Sequence, residues 1–219
     1  MYVIQPKGGL CNYLRVVFSY YIKTCESNEE LVVIWNITSQ CNGFFLDYFM
    51  PIKNITFKKE NTDKLKINYY GCYPYNNYKI NYSMLEPLPE LKNLILSKMK
   101  VLNNNYNAIH VRRTDHTNLA KKKNKFTSNE MFFEFLDNIK DKNCIYIATD
   151  NEKTYNEFKD KYKDNIKFKY HNEINGLRKT SLKDAIIDLY MCIYANNFMG
   201  SQYSSFSDLI TSIRKMDKK

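Results

Sequence analysis

The sequence predicts an α/β fold of two Rossmann-like halves. Each half is a parallel sheet with helices on both faces. Three observations predict it. Short apolar runs alternate with segments of helical periodicity along the 219 residues, the order that builds parallel sheets. The runs are apolar without alternation, as strands covered on both faces are. A glycine-rich turn joins the first strand to the first helix.

Taken in order, Tyr2–Gln5 is a short strand and Pro6-Lys-Gly-Gly9 a turn. Leu14, Val17, Phe18 and Tyr21 place one apolar stripe on a helix from about Asn12 to Cys25. Leu31–Trp35 is the second strand. Residues 36–83 hold short strand candidates at Ile55–Phe57 and Leu65–Tyr70. Leu91–Leu102 reads as an amphipathic helix, and the Asn-rich stretch 103–107 as a linker. The halves are therefore drawn as 1–103 and 104–219.

The second half is clearer. Ala108–Arg112 is a strand and Lys121–Lys125 an exposed loop. A helix capped by Thr127 or Ser128 runs to about Lys140. Cys144–Ala148 is a strand, followed by Thr149-Asp150 and a helix to about Tyr162. Ile166–Tyr170 is a further strand, and Leu182–Asn196 is an apolar helix. Phe198–Gly200 is a short strand, and Ser204 or Ser205 caps a last helix to about Lys215.

Composition excludes several classes. Hydrophobic residues at 44% and charged residues at 26% are those of a globular chain, not a disordered one. No apolar run reaches membrane-spanning length, and no basic segment followed by a long apolar one marks a leader at Met1. A cytoplasmic protein is expected, bacterial or viral within a host cell. Six scattered cysteines form no C-x-x-C pair, which argues for reduced thiols and against zinc or redox motifs. His110, His116 and His171 lack metal-ligand spacing, so no metal site is expected. The net charge of +10 comes almost entirely from lysine and attracts anions. It forms no nucleic-acid recognition signature. Only five arginines occur, so the adjacent pair Arg112-Arg113 stands out.

Four constellations carry chemistry. Gly8-Gly9 with Asn12 lies between a strand and a helix, where the backbone approaches a ligand closely; an ordinary βα turn explains the same residues. His110-Val-Arg-Arg-Thr-Asp115 ends a strand at the carboxyl edge of its sheet, where α/β folds bind ligands. Two arginine forks there suit a diphosphate, against the alternative of a surface ion-pair cluster. Gly200–Ser207 opens the last helix with Ser204, Ser205 and Ser207, an anion site or a plain N-cap. Asp150 follows a strand, and Asp188 lies on an apolar helix where a carboxylate needs a partner, either a ligand or a salt bridge.

His110-Val-Arg-Arg-Thr-Asp115 resembles the H-x-R-R-x-D motif of the fucosyltransferase superfamily that includes the α1,6-, α1,2- and protein O-fucosyltransferases. Its spelling is nearest the α1,6 enzymes. Pro6–Leu14 resembles the superfamily's N-terminal glycine-rich motif. Ile145–Asp150 resembles the second strand of the α1,6 branch, and Asp184–Asp188 with Gly200–Ser207 its last motif. The resemblance implies a GT-B type glycosyltransferase of two Rossmann-like halves, an inverting enzyme that moves fucose from GDP-β-L-fucose to a glycan, with neither metal nor cofactor. It implies that Arg112 grips the β-phosphate, and that Arg113 supports the pyrophosphate or shapes the loop. Asp150 joins the donor-binding set, and His110 and Asp188 hold guanine or ribose. Ser204, Ser205, Phe206 and Ser207 line the phosphate and base pocket, and Gly8, Gly9 and Asn12 face the cleft on the acceptor side. No acid occurs between Asp115 and Glu130, where the α1,6 enzymes carry one. Asp115 and His116 are therefore the candidates for general base, the alternative being an acceptor activated without a strong base. Another GDP-sugar as donor, or a non-catalytic GDP-sugar or glycan-binding module, is the alternative function.

Overall fold

The computed structural model describes residues 1–75, 80–114, 117–140, 143–170 and 180–217. The chain divides into two compact units, Met1–Leu91 and Lys92–Lys218.

The first unit is built on strands β1 (Tyr2–Pro6), β2 (Leu31–Ile34), β3 (Ile55–Lys58) and β4 (Tyr69–Gly71). All pairings are parallel, in the order β3-β2-β1-β4. Helix α1 (Leu10–Glu26) buries Leu14, Val17 and Phe18 against one face. Val3, Val32 and Ile34 point to the other, where Leu65 and Ile67 cover them. An irregular segment thus covers that face. It also explains why only Tyr69 and Tyr70 of the expected 65–70 strand pair with β1, together with Gly71 just beyond it. The stretch after β2 is organised by Trp35. Its indole Nε1 donates to the Gly43 carbonyl at 2.9 Å, and its ring packs on Tyr13, Phe45 and Phe57.

Helix α2 (Pro89–Val101) follows, with proline at the start, where a missing N–H costs nothing. The unit boundary falls at its first turn, earlier than the expected 103/104. The reason is that the body of α2 belongs to the second unit: Lys98, for example, lies over the Phe168 ring.

The second unit centres on β5 (Tyr106–Val111), with β6 (Cys144–Thr149) and β7 (Asn197–Gly200) parallel on either side. Besides the body of α2, the described residues of this unit form helices α3 (Thr117–Lys122), α4 (Asn129–Asp137), α5 (Glu152–Tyr162), α6 (Leu182–Tyr194) and α7 (Ser205–Asp217). Ile109 and Val111 pack with Phe132 and Leu136 of α4 and with Tyr155 and Phe158 of α5. On the opposite face, the Tyr106 hydroxyl donates to the Met191 carbonyl of α6 at 2.8 Å. Helices therefore cover both faces of this sheet. Side-chain oxygens of Ser128, Asn151 and Ser181 cap α4, α5 and α6 by accepting from backbone amides three residues on. Arg214 of α7 donates to the last carbonyls of α6, at Cys192 and Ile193.

Two expected elements differ. Lys121 and Lys122 end helix α3 rather than beginning a loop. Only Ala120 of α3 is buried, so the helix has no apolar stripe to betray it. The expected strand 166–170 is reduced to one bridge, Ile145 to Ile166, because Phe168 and Tyr170 turn to line a cavity. All six cysteines are free thiols; Cys11, Cys41 and Cys192 are buried and Cys25 is exposed. Among the described residues, no helix is long and apolar enough to cross a membrane.

Candidate active site

The carboxyl edge of β5 is held by a connected set of hydrogen bonds and an ion pair. Strand β5 ends at Val111, which places Arg112, Arg113 and Thr114 just beyond it. Asp150, one residue past the end of neighbouring β6, organises all three. Its Oδ1 accepts from the Arg113 amide at 2.9 Å. Its Oδ2 accepts from the Thr114 hydroxyl and lies 3.4 Å from Arg112 Nε. Both partners of that ion pair are less than one-fifth exposed, where charge-assisted contacts are stronger than at a wet surface. From the other side, Ser201 Oγ accepts from the Arg112 amide at 2.9 Å, and the Ser201 amide donates to the His110 carbonyl at 2.8 Å. One carboxylate and one hydroxyl thus hold the turn after β5 from the two neighbouring strands.

The two arginines have different surroundings. Arg113 donates to its neighbour's carbonyl and to Asn129 Oδ1. Its guanidinium lies over the Phe126 ring, 5.0 Å from the centroid. Burial draws Arg113 below the usual arginine range, against the pull of Asp150, Glu157 and Glu130. Arg112 and Arg113 both line a small depression with Thr117, Phe126, Ser201 and Tyr203.

His110 stands behind this edge. Its ring is buried, with Nδ1 at 2.8 Å from Ser207 Oγ and the Phe206 ring 4.6 Å away. Burial, reinforced by the Arg112 charge, pushes its pKa down to about 3, so the ring is neutral at pH 7. Gly200 makes the contact possible. A Cβ there would sit 2.5 Å from Ser207 Cβ and Oγ. Ser204 is buried just before α7, and Ser205 is half-buried at the helix start.

Asp188 does not join the arginine edge directly. Its Oδ1 accepts from the Tyr146 hydroxyl at 2.6 Å, and the carboxyl opens on a cavity of about 130 Å³. Ile145 to Thr149 of β6 form one wall; Tyr155, Phe168, Tyr170 and Asp184 contribute others. Desolvation raises the Asp188 pKa to about 7, with the Asp184 charge adding to the rise. The cavity reaches Thr149, the residue before Asp150. His110, expected to share the base or ribose with Asp188, does not line the cavity; its ring is taken up by Ser207 and Phe206.

In the first unit, Gly8 has φ +93°, a conformation suited to glycine, and a Cβ would meet Asn12 Nδ2 at 2.6 Å. Gly9 precedes α1 as its N-cap. Asn12 Oδ1 accepts from Arg15 Nη2 at 3.0 Å, which also donates to the Cys72 carbonyl. Arg15 Nε is buried, with no hydrogen-bond partner among the described residues. Asp115 and His116, the two candidates for general base, lie outside the described residues.

Sequence reasoning missed Ser201, Asn129, Tyr146 and Arg15. Ser201 lies inside the Gly200–Ser207 segment and was within reach of the motif. Tyr146 carries no motif of its own; only the folded pairing with Asp188, 42 residues away, reveals it. Among the described residues, no cluster of three His, Cys, Asp or Glu side chains is arranged to hold a metal ion.

The family model for GDP-fucose protein O-fucosyltransferase matches residues 37–217, and the chain belongs to that family. No curated protein matches the sequence. Among solved structures, NodZ α1,6-fucosyltransferase co-crystallized with GDP superposes at a TM-score of 0.68 with 12% identity, covering 96% of this chain and 91% of its own. The same enzyme soaked with GDP-fucose gives a TM-score of 0.69 at 12% identity, covering 97% and 92%; a further NodZ structure is of the Bradyrhizobium protein. POFUT1 in complex with GDP gives a TM-score of 0.61 at 10% identity, covering 98% and 94%. At such identities the likeness establishes the two-half GT-B fold.

Proposed function

We propose that this member of the O-fucosyltransferase family transfers L-fucose from GDP-β-L-fucose to a hydroxyl of a glycan, with inversion at the anomeric carbon and no metal ion. One observation carries the reading: Arg112, braced at Nε by Asp150, stands at the carboxyl edge of β5 beside a cavity lined by aromatic rings and carboxylates. A nucleoside diphosphate needs those two features together.

In the reaction, the bond between the anomeric carbon and the β-phosphate oxygen breaks, and its electron pair leaves with GDP. The acceptor oxygen bonds the same carbon from the opposite face, and its proton passes to a base. Arg112 binds the β-phosphate and stabilises the charge that grows on the leaving oxygen, the kind of preorganised electrostatics that lowers barriers most. Arg113 braces the turn through Asn129 and supports the pyrophosphate. The amides and hydroxyls of Ser204 and Ser205 at the start of α7 add donors. Guanine enters the cavity, where Asp188 takes its N–H groups. His110, Ser207 and Phe206 position the edge from behind. Gly8, Gly9 and Asn12 of the first unit serve the sugar and acceptor, and Asp115 or His116 supplies the base. Two arginines and a helix start supply the charge that a metal supplies in other glycosyltransferases.

The test is calorimetric titration of the full chain with GDP-fucose, GDP-mannose, GDP and UDP in the presence of EDTA. GDP-fucose and GDP should bind, UDP should not, and EDTA should change nothing. Binding without turnover on any glycan would instead favour a GDP-sugar-binding module. Preference for GDP-mannose would change the donor, and loss of binding in EDTA would refute metal independence.

A further inference from the structure

We propose that Lys98 selects the base of the donor nucleotide, its ammonium accepting guanine by bonding the oxygen at the 6-position and turning adenine away. The inference rests on the donor reading above and concerns the same cavity.

Lys98 lies on α2 and is half-buried against the cavity that holds Asp184 and Asp188. Its Nζ stands over the Phe168 ring, 4.6 Å from the centroid. Phe168 meets Tyr146 edge to face at 5.8 Å, and Tyr146 in turn holds Asp188. Each carboxylate has one oxygen engaged: Asp188 Oδ1 by Tyr146 and Asp184 Oδ2 by Ser181. Among the described residues, Lys98 closes no ion pair with either carboxylate, although its charge is felt at Asp188. An ammonium and two carboxylates thus line one aromatic cavity without neutralising one another in direct contact.

That arrangement matches a ligand edge carrying donors and an acceptor side by side. Guanine presents two N–H donor groups and the O6 acceptor on one edge. The carboxylates take the donors, and the ammonium takes O6. Adenine puts an amino donor where guanine has O6 and an acceptor where guanine has N1–H. It would set a donor against Lys98 and a lone pair against a carboxylate, and a buried polar site rejects a ligand that leaves its groups unpaired. Tyr155 and Tyr170, with ring centroids 5.7 Å apart, add flat apolar wall. They favour any base, so selection falls to the charged groups.

The experiment titrates the full chain and its Lys98→Met and Lys98→Arg variants with GDP, inosine diphosphate and ADP. Lys98→Met keeps the aliphatic stem over Phe168 and removes the charge. It should bind GDP and inosine diphosphate, which share O6, about tenfold more weakly, the size of one charge-assisted hydrogen bond. ADP binding should not fall, and Lys98→Arg should keep the preference for GDP. An equal fall for GDP and ADP would make Lys98 a general attractor of the diphosphate and overturn the proposal. Unchanged GDP binding would do the same. The unmutated chain gives a second readout should a variant fail to fold: 6-thioguanosine diphosphate, whose sulfur is a poor acceptor, should bind roughly fivefold more weakly than GDP, and equal binding overturns the assignment. If the folded, unmutated chain binds neither GDP nor GDP-fucose, the donor reading itself falls, an outcome distinct from all of these.

Discussion

Arg112 Nε lies 3.4 Å from Asp150 Oδ2, and the other oxygen of the same carboxylate holds the Arg113 amide at 2.9 Å. A single side chain at the end of β6 therefore sets both the direction of one guanidinium and the path of the backbone that carries it. Such bracing is how a charged fork is kept ready at a low entropic cost.

Replacing Arg112 by Ala should abolish fucosyl transfer, by 10²-fold or roughly more, the usual loss for one preorganised donor to a developing charge. Arg112→Lys should restore little, since an ammonium cannot bond Asp150 through a fixed Nε and still present a planar fork. Steady-state rates with GDP-fucose measure the loss, and circular dichroism shows whether the fold survives. Near-normal turnover in Arg112→Ala would remove Arg112 from the site.

Asp150→Asn tests the bracing separately. Asparagine keeps the size and one acceptor for the Arg113 amide but loses the charge that orients Arg112. Turnover should fall about tenfold or more, while the change in melting temperature stays small. A large stability loss with normal turnover per folded molecule would assign Asp150 to folding alone.

Gly200→Ala should destabilise the second unit by about 1–3 kcal/mol, the range for overpacking a core. The added Cβ would fall 2.5 Å from Ser207 and push α7 off the sheet. Ser207→Gly in the same chain should relieve the clash and recover part of the stability. Thermal unfolding of the single and double variants measures this, and additive losses would show that the two positions do not meet.

Much of this was legible in the sequence, and the failures have physical causes. Strand β2 and most of β6 are apolar on successive residues, so a run of letters reports them; β1 and β5 hold shorter apolar runs broken by Gln5, Asn107 and His110. The adjacent arginines at a strand end reported the edge, because both arginine and the strand are local. Helix α3 escaped because a lysine-rich segment with a single buried residue carries no periodic signal. The 166–170 segment looked like a strand because a residue lining a cavity and a residue in a sheet are equally apolar. The family resemblance assigns Asp188 and His110 one shared role, holding guanine or ribose. Their different roles depend on Tyr146 and Ser207, partners 42 and 97 residues away.

Those two groups also predict how stability depends on pH. The Asp188 pKa is raised in the folded chain to about 7, above its ordinary value. Between those values the unfolded chain has released the proton and the folded chain keeps it, so stability falls as pH rises toward 7. The His110 pKa is pushed down to about 3. Below its ordinary value near 6.5 the unfolded chain takes up a proton that the folded chain refuses, so stability falls as pH drops toward 3. The two trends oppose each other between about pH 4 and 6.5, and the unmutated chain should show a shallow profile there. Asp188→Asn should uncover the histidine trend, with melting temperature falling as pH is lowered from 6.5. His110→Asn should uncover the carboxyl trend, with melting temperature falling as pH is raised from 4 to 7. Thermal unfolding of the three chains across that range decides the matter: parallel profiles in all three would mean that neither group titrates differently in the folded and unfolded states.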